Sequence, residues 1–273
     1  MRSFSSVLFA LCCVAVPLRA QDPAPAGEQP NLVLSIVGGT VTGHSLSAIA
    51  KQPFCLLSPG GSCSGNYDTL RLSRTIGSSI ALGASATYFP WPHVGFHAEL
   101  SYLGLPIDDG CVGLYYNPDV DQKAQQICDN LQGVTGAGGA ISIFAGVTLR
   151  ASTRRAFSPY VRTSIGIVNL SRSTVEVVGD YVDGSGAQER QVISDQTPRH
   201  LSPMVGVATG FTTPLGPGYQ IRLEARDVIT SLERVTGAAN DLTIAPVASR
   251  YYHHFALILG LDVVLERKRG RRY

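Results

Sequence analysis

The sequence predicts an all-β chain, an eight-stranded antiparallel up-and-down transmembrane β-barrel with short periplasmic turns and four long external loops. Three observations predict it. Apolar residues recur at every second position over strand-length segments, and short and long connections between those segments alternate. No stretch beyond the first twenty residues reaches the roughly 18 consecutive apolar residues of a spanning helix. Composition agrees: charged residues make up 15% of the 273, and there are 29 glycines. Average soluble domains carry roughly 25% charged residues. A net charge of +2 points away from nucleic acid as a partner.

Residues 1–20 are laid out as a signal peptide. Arg2 supplies the positive start, Val7 to Leu18 form the uncharged apolar run, and Ala20 is the small residue at the cut before Gln21. Cys12 and Cys13 lie inside that run behind Phe9-Ala10-Leu11, a poor lipobox. Residues 21–30 (QDPAPAGEQP) are proline-rich and polar, a disordered lead-in. The barrel is expected over 31–266 and a basic periplasmic tail over 267–273.

Period-two alternation sends successive side chains of a strand to opposite faces, and it defines the strands in order. Asn31–Gly43 is apolar on both parities and is assigned because closure needs an even partner. Ile76, Ile80, Leu82, Ala84 and Ala86 then oppose Thr75, Ser79 and Ser85. Val94, Phe96, Ala98, Leu100 and Tyr102 oppose Gly95, His97, Glu99 and Ser101. Ile141, Ile143, Ala145, Val147 and Leu149 oppose Ser142, Thr148 and Arg150, and Val161, Thr163, Ile165 and Ile167 oppose Arg162, Ser164 and Gly166. Val205, Val207 and Phe211 oppose Gly206, Ala208 and Gly210, and Tyr219, Ile221, Leu223 and Ala225 oppose Gln220, Arg222, Glu224 and Arg226. In His253–Glu266 every odd position from Phe255 to Leu265 is large and apolar, against Ala256, Gly260, Asp262 and Glu266. Ten steps of about 3.3 Å, tilted by about 40°, rise roughly 25 Å, the height of a lipid-facing band on such a barrel.

The turns at Phe89-Pro90-Trp91-Pro92, Thr153–Pro159 and Thr213–Pro217 are short, while residues 44–69, 106–138, 172–200 and 228–250 are long. Short periplasmic turns and long external loops alternate in this way when both chain ends are periplasmic. Tyr88, Phe89, Trp91, Phe157, Tyr160 and Tyr219 flank the short turns, and Tyr102, Tyr251 and Tyr252 flank the other rim, as two aromatic girdles would.

With these residues in place, the chain resembles the outer-membrane β-barrel domain family of small eight-stranded OmpA-like and opacity-like porin-fold proteins. The resemblance covers about residues 31–266. It rests on Ser158-Pro159-Tyr160-Val161 entering a Gly-containing strand, and on the closing strand Gly260-Leu261-Asp262-Val263-Val264-Leu265. The closing strand is similar to the C-terminal insertion signal, although Ile258 stands at an expected polar position and ERKRGRRY follows the strand. The resemblance implies barrel-insertion machinery as a partner during biogenesis, and outer-membrane lipid and lipopolysaccharide as surroundings.

Two residue sets carry candidate chemistry. By parity His97, Glu99, Arg150, Arg162, Arg222, Glu224, Arg226 and Asp262 point into the lumen. The interior of eight strands is just wide enough to be filled by side chains, and charges there must pair. This set is expected to form a salt-bridge plug. Cys55, Cys63, Cys111 and Cys128 remain after signal removal, an even number in an exported chain. Three disulfide pairings are open, the simplest being Cys55–Cys63 and Cys111–Cys128. No cofactor or metal is expected. Asp119 and Asp121 are too few for a calcium loop, and Gly136-Ala137-Gly138-Gly139 lacks the Lys-Ser/Thr of a phosphate loop. A short helix is expected within Asp119–Leu131.

The expected function is a non-enzymatic structural or surface-interaction role. Loops bind an external surface ligand, and rim arginines such as Arg74, Arg172 and Arg250 meet lipopolysaccharide phosphates. The alternatives are a narrow gated pore, a lipid-modifying outer-membrane enzyme using His253 with Ser249, and a soluble lipocalin-like carrier with the faces reversed.

Overall fold

The computed structural model describes residues 31–55, 67–115, 123–133, 138–151, 157–183, 186–239 and 243–266. The expected signal peptide, lead-in and basic tail lie outside the described residues, as do Cys63, Asp119 and Asp121. In chain order the strands are β1 (Asn31–Val41), β2 (His44–Cys55), β3 (Tyr67–Ile76), β4 (Ser79–Phe89), β5 (Val94–Gly104) and β6 (Ile107–Tyr115). Helix α1 (Lys123–Gly133) follows, then β7 (Gly139–Arg150), β8 (Ser158–Leu170), β9 (Val177–Asp183), β10 (Gly186–Ile193), β11 (Leu201–Gly216), β12 (Tyr219–Val235) and β13 (Val247–Glu266).

Eight of these strands close into a barrel in the order β1-β13-β12-β11-β8-β7-β5-β4, each pair antiparallel. β1 completes the ring by pairing with both β13 and β4, Ser35 standing opposite Asp262 on one side and Ser85 on the other. Its exposed outward residues are Leu34 and Ile36, and its inward ones are Val33, Ser35, Val37 and Val41. That distribution explains why its sequence is apolar on both parities: the inner face of β1 meets an apolar stretch of lumen.

On the other barrel strands the alternation holds residue by residue. Phe255, Leu257, Leu259, Leu261 and Leu265 face outward and exposed, while Ala256, Ile258 and Asp262 are buried. Ile165 at 70%, Ile143 at 56% and Leu100 at 54% exposure continue the belt around the wall. A contiguous apolar belt of this extent is a surface for lipid, and it is the reverse of a soluble carrier barrel, whose apolar face is inside. The interior is crowded, which accounts for the glycines. A Cβ at Gly146 would stand 1.9 Å from the Thr163 carbonyl and 2.9 Å from the His97 ring. At one short turn, Gly218 takes φ 78° directly after Pro217, the residue pattern of a type II turn.

The long connections are not plain loops, which corrects their expected boundaries. The first holds β2 and β3, the second β6 and α1, and the third the hairpin β9–β10. The fourth shrinks to residues 236–246, because β12 and β13 stay paired from Tyr219↔Val263 out to Val235↔Val247. Ile76, expected on the second barrel strand, instead ends β3 and is buried. Strands β2-β3-β6 form a sheet that, with α1 and the hairpin, encloses a separate apolar core. Ile49, Phe54, Leu70, Leu72, Ile127, Val175, Tyr181 and Ile193 are among its members. Burying each such side chain contributes roughly 1.5–3 kcal/mol, so the four connections fold together as a cap over one end of the barrel. Helix α1 fits this role: Ala124, Ile127, Cys128 and Leu131 recur at helical spacing and are all buried.

Candidate functional site

Below the cap the lumen is filled in two layers. Nearest the cap, Leu46, Phe144, Val168, Met204, Leu232 and Tyr252 are part of a buried apolar cluster. Toward the turn end lies a polar layer built from residues that period-two alternation points inward.

On β12, Arg222, Glu224 and Arg226 sit two residues apart and so share the inner face. Arg222 donates from Nε and Nη2 to the two carboxylate oxygens of Asp262 at 3.3 and 2.7 Å, and Nη2 also meets Ser35 Oγ. Glu224 accepts the Tyr160 hydroxyl at 2.6 Å and Arg226 Nε at 2.8 Å. Arg226 then closes a two-pronged pair on Glu99, with Nη1 on Oε1 and Nη2 on Oε2 at 2.9 Å. β12 and β5 stand four places apart in a ring of eight, so this pair bridges the barrel diameter. Arg162, from β8, lies 3.4 Å from Glu99 and 3.7 Å from Glu224, and its Nε donates to Thr148 Oγ1 at 3.3 Å. His97 Nδ1 shares a hydrogen bond with the same Thr148 hydroxyl at 3.1 Å.

Arg222, Glu224, Glu99, Arg162 and Asp262 are each exposed by 4% or less. Unpaired charges at that depth are costly, and here three guanidinium groups face three carboxylates in one connected network. Arg150 lies at the turn-end mouth, where its Nε donates to the Pro92 carbonyl at 2.8 Å and its guanidinium covers the Phe89 ring at 3.6 Å. Sequence reasoning passed over Tyr160, Thr148 and Ser35 as network members. Tyr160 was expected in a girdle, yet its even position on β8 sends it inward, where it is 6% exposed. Phe89 and Tyr252 are likewise buried rather than on the rim, whereas Tyr88, Trp91, Phe157, Tyr219, Tyr102 and Tyr251 are exposed as girdle residues are.

In the cap, Cys111 of β6 and Cys128 of α1 form a disulfide with Cα atoms 5.0 Å apart. Cys55 ends β2, and its expected partner Cys63 lies outside the described residues. Arg74, expected on the rim, is buried instead. It donates to both Asp109 oxygens at 2.6 and 2.7 Å and to the Glu176 carbonyl, tying the cap sheet to the segment before the hairpin. Arg172 and Arg250 are exposed. His253 is exposed on the outer wall with Nδ1 2.7 Å from Asp227 Oδ2. Ser249, its expected companion, lies four residues earlier on β13, opposite Glu233. Among the described residues no group of three or more His, Cys, Asp or Glu side chains is arranged to hold a metal ion.

No protein-family model matches this chain, and no curated protein does. Among solved structures, the outer membrane protein OprG of Pseudomonas aeruginosa is similar at 11% identity, with a TM-score of 0.45 over 88% of this chain and 97% of that one. Neisserial surface protein A is similar at 12% identity, with a TM-score of 0.41 over 86% of this chain and 99% of that one. The outer membrane protease OmpT of Escherichia coli is similar at 9% identity, with a TM-score of 0.33 over 90% of this chain and 100% of that one. The closed eight-stranded ring rests on the strand pairing of this chain itself.

Proposed function

We propose that this chain is a bacterial outer-membrane anchor with a closed lumen, which displays a folded cap to the cell exterior as a non-enzymatic binding surface. It is exported through a cleaved signal peptide spanning residues 1–20 and inserted by the barrel-insertion machinery. The observation that carries the reading is the pairing of a lipid-facing belt outside with a lumen filled twice over inside, by the Arg222–Glu224–Arg226–Glu99 network and by the apolar layer above it. A filled lumen disfavours a solute path, and a cap with its own core and a disulfide holds the fixed shape that recognition needs. Exposed Arg172 and Arg250 are suited to lipopolysaccharide phosphates.

The enzyme reading draws support from the Asp227–His253 pair, in which an acid orients an imidazole. A hydrolase also needs a nucleophile within hydrogen-bonding reach of that imidazole. Among the described residues, His253 is hydrogen-bonded to Asp227.

Cell fractionation with unboiled gel electrophoresis tests the anchor, and protease treatment of intact cells tests the cap. The expected result is a heat-modifiable band in the outer-membrane fraction and external cleavage confined to the cap. A soluble protein with no mobility shift overturns the proposal.

A further inference from the structure

Where the cap joins the barrel, three buried imidazole nitrogens have no hydrogen-bond partner: Nδ1 and Nε2 of His44 and Nδ1 of His254. His44 is the first residue of β2, just beyond the end of β1, and so belongs to the cap. His254 lies on the inner face of β13, 2% exposed, and belongs to the wall. The two rings meet edge to face with centroids 4.8 Å apart and planes at 69°. Tyr252 fixes the arrangement. Its ring stacks on His44 at 4.8 Å, and its hydroxyl donates to the Leu46 carbonyl at 3.0 Å.

Buried polar atoms are nearly always paired, and a group of them left open asks for an ion or an ordered water. We propose that His44 and His254 form a two-imidazole site for a divalent late transition cation, with water completing the coordination. Imidazole nitrogen suits copper, nickel and zinc, whereas calcium and magnesium require oxygen ligands. Nitrogen–metal bonds of about 2.0–2.1 Å place two rings on one tetrahedral ion with centroids roughly 5 Å apart. The observed centroid spacing of 4.8 Å is close to that value, and binding turns a nitrogen of each ring toward the shared ion. With two protein ligands the site is open and its affinity modest, and copper(II) binds most tightly. His44 as a residue is only half-buried and stands on the cap side of the pair. One ligand stands on the cap and the other on the wall, so the ion fastens one to the other. This inference does not depend on what the cap binds.

The test is titration of copper(II) into the full chain folded in detergent, followed by electron paramagnetic resonance. The expected result is one copper per chain with hyperfine coupling to two imidazole nitrogens. His44→Gln and His254→Gln should each weaken binding at least about tenfold, the lower end of what loss of even a supporting partner costs a metal site. His253→Gln, which removes the exposed neighbour, should leave binding intact. Copper should also slow protease cleavage of the cap in the unaltered chain and not in His44→Gln. If His254→Gln loses its folded gel mobility, His44→Gln alone carries the test. Absence of copper binding, binding that survives His44→Gln, or binding lost in His253→Gln overturns the proposal.

Discussion

Arg226 grips both carboxylate oxygens of Glu99 across the full width of the barrel, one residue from β12 and the other from the strand diametrically opposite. The pair acts as a strut. Removing one end leaves a buried charge without its partner, which costs far more than removing both. Glu99→Leu is expected to destabilise the barrel by about 3–5 kcal/mol, and Glu99→Leu with Arg226→Met to recover most of that loss. Urea unfolding in lipid vesicles, read by gel mobility, measures the cycle. Additive costs for the two substitutions would contradict the strut.

The Cys111–Cys128 disulfide joins β6 to α1 across 17 residues of chain. Its loss is expected to weaken the cap by roughly 2–4 kcal/mol and to leave the barrel intact. Cys111→Ser with Cys128→Ser, or added reductant, should therefore speed protease cleavage near α1 without changing the heat-modifiable mobility. Unaltered cleavage would show that the apolar stripe of α1 holds it without the bond.

His44 lies outside the lipid-facing belt, and burial lowers its pKa below the ordinary 6.5. The closed cap thus disfavours the protonated form of the ring, while an opened cap restores its ordinary value of about 6.5. As pH falls through and below that value the opened state takes up a proton more readily than the closed state, so cap closure weakens; above it, closure is independent of this group. Protease cleavage of the cap in metal-free buffer should be faster at about pH 5.5 than at about pH 7.5, and His44→Gln should remove that difference. A pH effect of the same size in His44→Gln would assign it to another group.

The barrel was legible in the sequence because its period is two and its faces see opposite solvents: Phe255, Leu257 and Leu259 outside against Ala256, Gly260 and Asp262 inside need no partner to be recognised. The cap was not. Its strands are short and pair with segments far along the chain, as Arg74 does with Asp109 and Thr69 with Tyr115, and no local periodicity announces such pairing. Parity marked Arg222, Glu224, Arg226 and Glu99 as inward, but which guanidinium meets which carboxylate follows from ring order, and strand spacing alone does not supply it. Tyr160 shows the same limit. Its place beside a turn suggested a girdle; the parity it shares with Arg162 turns it inward, and its register opposite Gly210, itself opposite Glu224, supplies the partner.

Single-channel recording in planar bilayers tests the central claim, that the lumen is closed and the cap is the working surface. A lumen closed in this way gives no stepwise conductance from the folded chain. Glu99→Gln with Arg226→Gln should be silent as well, because the apolar layer of Phe144, Met204, Leu232 and Tyr252 still blocks the path above the network. Reproducible ion-selective openings from the unaltered chain would contradict it.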